Sequence, residues 1–183
     1  MGYSLTLLAI QSADVDDALS TLDIVRTGER AEYATEPLTG HVMPNGWYLI
    51  VADRCDHPLL DAATLSRASQ KYRVIACAVE EHVMFSSAEE WRSGKQIWCA
   101  RHEGENGPIN LQTTGVLPPS FQALERKFKE AQESDGGADA DVDYYFEIPL
   151  MAAKQIMGFK HDEDVPGVTD EEFDLLSKVS DRH

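Results

Sequence analysis

Four stretches of this chain bring together side chains able to do chemistry. Asp139-Ala-Asp-Val-Asp143, followed by Glu147, sets carboxylates at alternate positions, the way a hard cation such as Ca²⁺ gathers oxygen ligands. The calcium-loop template then fails. Counted from Asp139, Tyr144 stands where a Gly must make the sharp turn and Leu150 where a bidentate Glu is needed; counted from Asp135, those places hold Ala140 and Phe146. A solvated acidic loop is the expectation there, and Gly136-Gly137 with small or acidic neighbours predicts that Ser134 to Asp141 is mobile and unneeded for folding. His161-Asp-Glu-Asp164 lies between Gly158 and Pro166-Gly167, so an imidazole and several carboxylates share a loop, where chemistry often sits. His161, Asp162 and Asp164 with a distant His such as His102 could hold a divalent metal for hydrolysis. Without that further ligand the segment is a charged connection between helices.

Asp53-Arg-Cys-Asp-His57 follows an apolar strand and precedes a helix, the place where open α/β sheets put their sites. Cys55 could be activated there by His57 or by the helix N-terminus. No oxyanion-hole motif accompanies it, and a polar connection in which Asp56 or His57 caps the helix is the plainer reading. On Lys95 to Glu103, alternation puts Gln96, Trp98, Ala100 and His102 on one face, an aromatic wall that core packing explains more readily than a ligand does. The chain has no phosphate-binding Gly-rich loop, no dinucleotide fingerprint, no Gly-x-Ser-x-Gly and no His-Glu-x-x-His. No catalytic residue and no cofactor are therefore assigned. Cys55, Cys77 and Cys99 are widely spaced and odd in number, which argues against a disulfide framework or a thiolate metal site.

Charge is the strongest signal. The 183 residues carry 32 acidic and 16 basic side chains, and thirteen of the acids against two lysines fall between Glu133 and Asp174. Such a field repels phosphate backbones and anionic membranes and attracts cations or a basic protein. Basic residues never cluster, which argues against nucleic acid as a ligand. No apolar run approaches the ~18 residues of a membrane span, and the N-terminus lacks the basic leader of a signal peptide, so a cytoplasmic protein is expected.

The elements that must position these residues follow from periodicity. Tyr3 to Ile10, Trp47 to Ala52 and Tyr72 to Val79 are apolar runs of strand length, and the last two bracket a helix over 58–69. A first helix is predicted over 12–22 and a short strand near 23–27, with irregular or edge structure to Pro44. The capping-box spacing Ser87-x-x-Glu90 predicts a helical turn through Arg92. Lys95 to Glu103 and Ile109 to Thr114 read as a hairpin, and Pro118-Pro119 opens a long helix. Tyr144 to Ile148 reads as a strand, Pro149 to Met157 as a helix stopped by Gly158, and Thr169 onward as a terminal helix with Phe173 and Leu176 inward.

The expected fold is one α+β domain over 1–183: a mixed β-sheet with βαβ-type N-terminal units and an antiparallel hairpin within 1–117, then a mostly helical acidic portion over 118–183. The expected function is that of a small non-enzymatic interaction protein, an inhibitor, antidote or adaptor, with homo-oligomerisation left open. Asp162, Glu163, Asp164, Asp170, Glu171 and Glu172 would steer a basic partner, and Trp91 or Trp98 would anchor it. The alternative is the metal-dependent hydrolase built on His161, Asp162, Asp164 and His102.

Overall fold

The computed structural model describes residues 2–181. In chain order the elements are β1 (Ser4–Gln11), α1 (Val15–Ser20), β2 (Ile24–Ala31), β3 (Leu38–Val42), β4 (Trp47–Ala52), α2 (Ala62–Ser69), β5 (Arg73–Glu80), β6 (Phe85–Arg92), β7 (Lys95–Glu103), β8 (Gln112–Gly115), α3 (Phe121–Ser134), α4 (Glu147–Met157) and β9 (Phe173–Lys178), with short 3-10 turns between. The strands form one nine-stranded sheet in the order β2-β9-β3-β4-β1-β5-β6-β7-β8, and the fold is α+β.

Every neighbouring pair is antiparallel, which replaces the expected mixed sheet. The apolar runs at β4 and β5 are interior strands as predicted, but they are not neighbours. β1 lies between them and pairs with both, Leu8 facing Ile50 on one side and Ala76 on the other. A strand buried on both faces shows the same continuous apolar run whichever way its neighbours point, so the pattern established burial and left direction open. Along β1, Leu5, Leu7 and Ala9 enter one core, while Leu8 and Ile10 enter the other.

The first core is roofed by α3 and α4 and includes Trp98, Phe121, Ile148 and Phe173. Pro149 stands in the first turn of α4, where its missing N–H has no intrahelical acceptor to lose. Gly158 ends that helix at φ 81°, its N–H donating to the Lys154 carbonyl at 2.8 Å. The second core lies under α1 and α2 and includes Tyr48, Leu65 and Leu176.

Three segments differ from expectation. Ser87 to Arg92 belongs to strand β6, not to a helical turn; Ser86, Ala88 and Glu90 point inward at a period of two, and β5 and β7 supply the backbone partners. Tyr144 to Phe146 is a 3-10 turn leading into α4, with Asp143 accepting from the Phe146 N–H at 3.3 Å. The terminal helix is instead a 3-10 turn at Asp170–Glu172 followed by β9, which inserts between β2 and β3. Phe173 and Leu176 suit a helix face by spacing, yet in the strand they point to opposite sides and each joins a different core. The sheet thus draws one strand from within 118–183, where the other elements are α3, α4 and short 3-10 turns.

Candidate functional site

The acidic segments meet at one turn. After β5 the chain makes a 3-10 turn, Glu81–Val83, capped by the Glu80 carboxylate and closed by Met84 in the left-handed region at φ 49°. Glu81 points one way, toward 161–164; His82 and Val83 line a groove on the other side.

On the first side, Glu81 Oε1 accepts from His161 Nε2 at 2.9 Å, and Oε2 accepts from the Tyr3 N–H at 2.8 Å. The His161 ring is fully buried with Tyr3 edge-on at 5.3 Å; its Nδ1 has no hydrogen-bond partner among the described residues and lies 3.9 Å from Asp162 Oδ1. Tyr33 ties the two acidic runs together: its hydroxyl donates to the His161 carbonyl at 3.1 Å and its N–H to the Asp170 carbonyl at 2.7 Å. Burial, and then Tyr3, Asp170, Asp162 and Glu81 around it, hold the Tyr33 phenol far above the usual range.

The acids of this side are not alike. Asp162 pairs with the buried Lys160, which also reaches Glu147 at 3.1 Å, and Glu163 pairs with Lys154. Burial by itself would lower Lys160 and raise Asp162, but Asp162 and Glu147 beside Lys160, and Lys160 beside Asp162, outweigh it, so each shifts toward its charged form. Asp174 is held by Arg30 at 2.8 Å and by the Tyr48 hydroxyl at 2.9 Å. The exposed carboxylates of Asp164, Asp170, Glu171 and Glu172 have no side-chain partner among the described residues.

On the other side of the turn is a groove of about 510 Å³ between Val83 and Met84, Gly104 to Pro108, and the loop 138–143. Glu105, Asp139, Asp141 and Asp143 line it, with no Lys or Arg among the described residues, and half-exposed Val83 and Val142 give it apolar walls. The loop that walls the groove is tied to α3. Gln132 of α3, 1% exposed, donates to the carbonyls of Gly137 at 2.8 Å and Val142 at 2.9 Å and accepts from the Tyr144 N–H at 2.8 Å. Behind the groove, buried His102 places Nε2 2.8 Å from Asp143 Oδ2 and Nδ1 2.6 Å from the Asn110 carbonyl.

The remaining candidates are placed elsewhere or used internally. His102 is bonded to Asp143 and Asn110 and His161 to Glu81, so the residues of the hydrolase alternative do not converge; among the described residues no three His, Cys, Asp or Glu are grouped to hold a metal. His57 caps the turn Pro58–Leu60 by accepting from the Leu59 N–H at 3.2 Å, while Cys55 Sγ lies 3.6 Å from Glu80. Neither Trp offers itself to a partner. Trp98 is 1% exposed and donates to Glu90 at 2.9 Å, and Trp91, 9% exposed, donates to Glu89 at 2.8 Å. Glu90 is itself buried; burial would raise its carboxyl, but Arg73, Trp98 and Arg92 donate to it and hold it below the usual range.

Sequence reasoning missed Tyr33, Glu81 and Gln132. A lone Gln in a charged helix and a lone Tyr in an irregular stretch carry no local signal; their partners lie in distant or separately folded segments. Compared with models of known protein families, with curated proteins and with solved structures, the chain matches none.

Proposed function

We propose that this protein binds a basic protein partner through the acidic face on both sides of the turn Glu81–Val83. What carries the reading is the division of the acids. Asp162, Glu163 and Asp174 are neutralised from within, whereas Asp164, Asp170, Glu171 and Glu172 have no side-chain partner among the described residues and point to solvent. Like charges held close together cost stability, and a cationic partner removes that cost. The aromatic anchor expected from Trp91 or Trp98 is replaced by the groove, where Val83, Met84 and Val142 would take an apolar side chain flanked by cations that meet Glu105, Asp139 and Asp141. The free carboxylates then steer the encounter and the groove supplies desolvated contact.

The test is a titration of the full chain with a peptide of alternating Lys and Leu, followed by amide chemical shifts, at about 50 and 200 mM salt. Shifts at Val83, Glu105 and Val142, weakened several-fold by the added salt, are expected. Reversing Asp164, Asp170, Glu171 and Glu172 to Lys should slow association and flatten the salt dependence. Binding that ignores the four reversals, or that an all-Lys peptide matches, would remove the reading.

A further inference from the structure

The two edges of the sheet are built differently. β2 carries Arg26, Glu29 and Arg30, and its pairing with β9 loses register between Arg26 and Arg30, around Gly28 at φ 91°. Charges and irregularities of this kind discourage an edge from adding another strand. β8 at the opposite edge has no charge. Its four residues are all exposed and lie within the longest uncharged run of the chain, Asn106 to Leu124. Backbone geometry defines what this edge offers. The Val116 N–H donates to the Ile97 carbonyl at 2.8 Å, and Thr114 is set against Cys99 and Gln112 against Arg101. Because inward and outward groups alternate along an antiparallel ladder, Gln112, Thr114 and Val116 face β7, and Thr113 directs its N–H and carbonyl away from the sheet. Ile109 before the strand and Val116 after it are 52% and 77% exposed.

We propose that the β8 edge is a self-association surface, where a second copy of this chain pairs its own β8 antiparallel across a twofold axis beside Thr113. Charge selects a second copy as the occupant. In a twofold contact each group meets its own kind, so a charged strip repels itself. With a formal net charge of −16, two copies approach with least repulsion along the uncharged run. Thr facing Thr across such a pair is favourable. Four strand residues a side fall short of the roughly 800 Å² per partner of a standard interface, so the dimer is weak and forms at micromolar concentration or above. This surface does not depend on the acidic face, and it responds oppositely to salt. Screening relieves repulsion between two acidic copies and strengthens the dimer, whereas it weakens capture of a basic partner.

Sedimentation velocity of the full chain from about 10 µM to about 1 mM, at about 50 and 500 mM salt, tests this. The sedimentation coefficient should rise with concentration, and rise further in high salt. Thr113→Pro removes the outward N–H while leaving the bonds to β7, and Thr113→Lys sets two ammonium groups against each other; each should weaken the dimer at least about tenfold. Thermal melts in dilute solution show which variant keeps its fold, and the lysine variant decides if the proline variant loses it. A chain that stays monomeric throughout overturns the proposal and leaves the edge to a strand of another protein. A dimer that salt weakens, or that the folded variants leave unchanged, overturns it as well.

Discussion

Replacing Gln132 by Leu should unfasten the loop that walls the groove, with a cost that can be worked out from three hydrogen bonds. The side chain is buried and similar in size to Leu, so packing is nearly conserved while the carbonyls of Gly137 and Val142 and the Tyr144 N–H lose their partner. At a net value of about 0.5–1.5 kcal/mol for each bond, the loss is about 3 kcal/mol. In a chain of this size that lowers the melting temperature by about 6–12 °C. Gln132→Glu should be worse, since it keeps the acceptor for Tyr144 but turns a carboxylate toward two carbonyl oxygens. Urea unfolding is the assay, with an unchanged m-value showing that the same surface is exposed. The Tyr144 amide should exchange faster in the variant, and affinity for a basic amphipathic peptide should fall as Asp139, Asp141 and Val142 lose their place. If Gln132→Leu stays within about 0.5 kcal/mol of the wild type, the loop is not held by this side chain.

Further outcomes are expected elsewhere. Glu90→Ala strands Arg73, Arg92 and the Trp98 N–H and should cost about 2–4 kcal/mol with a shift in tryptophan emission; a near-neutral variant would mean that solvent takes over all three donors. Glu80 is held down at about 2, first by the Ser4 hydroxyl, against the opposing effect of burial, and then by the donors of His82. A depressed carboxylate stabilises the fold above its unfolded value of about 4.3 and ceases to do so as pH falls toward 2, so Glu80→Gln should flatten acid unfolding in that window; an unchanged acid limb would contradict this. Burial pushes the Cys77 thiol up, so a thiolate-seeking alkylating reagent should leave it unmodified until the chain unfolds, and labelling in the native state would show an opening of the core strands. Gly40→Ala places a Cβ 2.5 Å from the Tyr48 hydroxyl, which donates to Asp174; stability should drop, and urea unfolding would detect a variant that accommodates the methyl.

How much could be read in advance depended on the range of the interaction. β1, β4 and β5 were legible because a strand covered on both faces needs an unbroken apolar run. The stop of α4 at Gly158 was legible because its positive φ suits Gly, and the 95–103 strand because alternation and a following turn are local. The candidate site was legible only in its charge. Asp162, Asp164 and Glu171 could be named, but which carboxylates are neutralised depends on Lys154, Lys160 and Arg30, whose approach no periodicity encodes.

The β6 and β9 segments mark the boundary most clearly. Ser87-x-x-Glu90 and Thr169-x-x-Glu172 each satisfy a helix-start pattern, and each helix-start signal is worth only about 1 kcal/mol. Pairing two ladders and burying Trp91, Phe173 or Leu176 is worth several times that, but only where neighbouring strands already wait. The sequence alone determined which residues leave water and where negative charge accumulates, because hydrophobic runs and formal charge are properties of neighbours along the chain. Tertiary structure decided the direction of the strands, the slot that β9 fills, the bringing of two acidic runs to one turn and the tethering of the groove wall by Gln132. Each of those rests on backbone or side-chain partners supplied by other segments, and whether a hydrogen bond or an ion pair forms depends on distance in space, which the chain acquires only by folding.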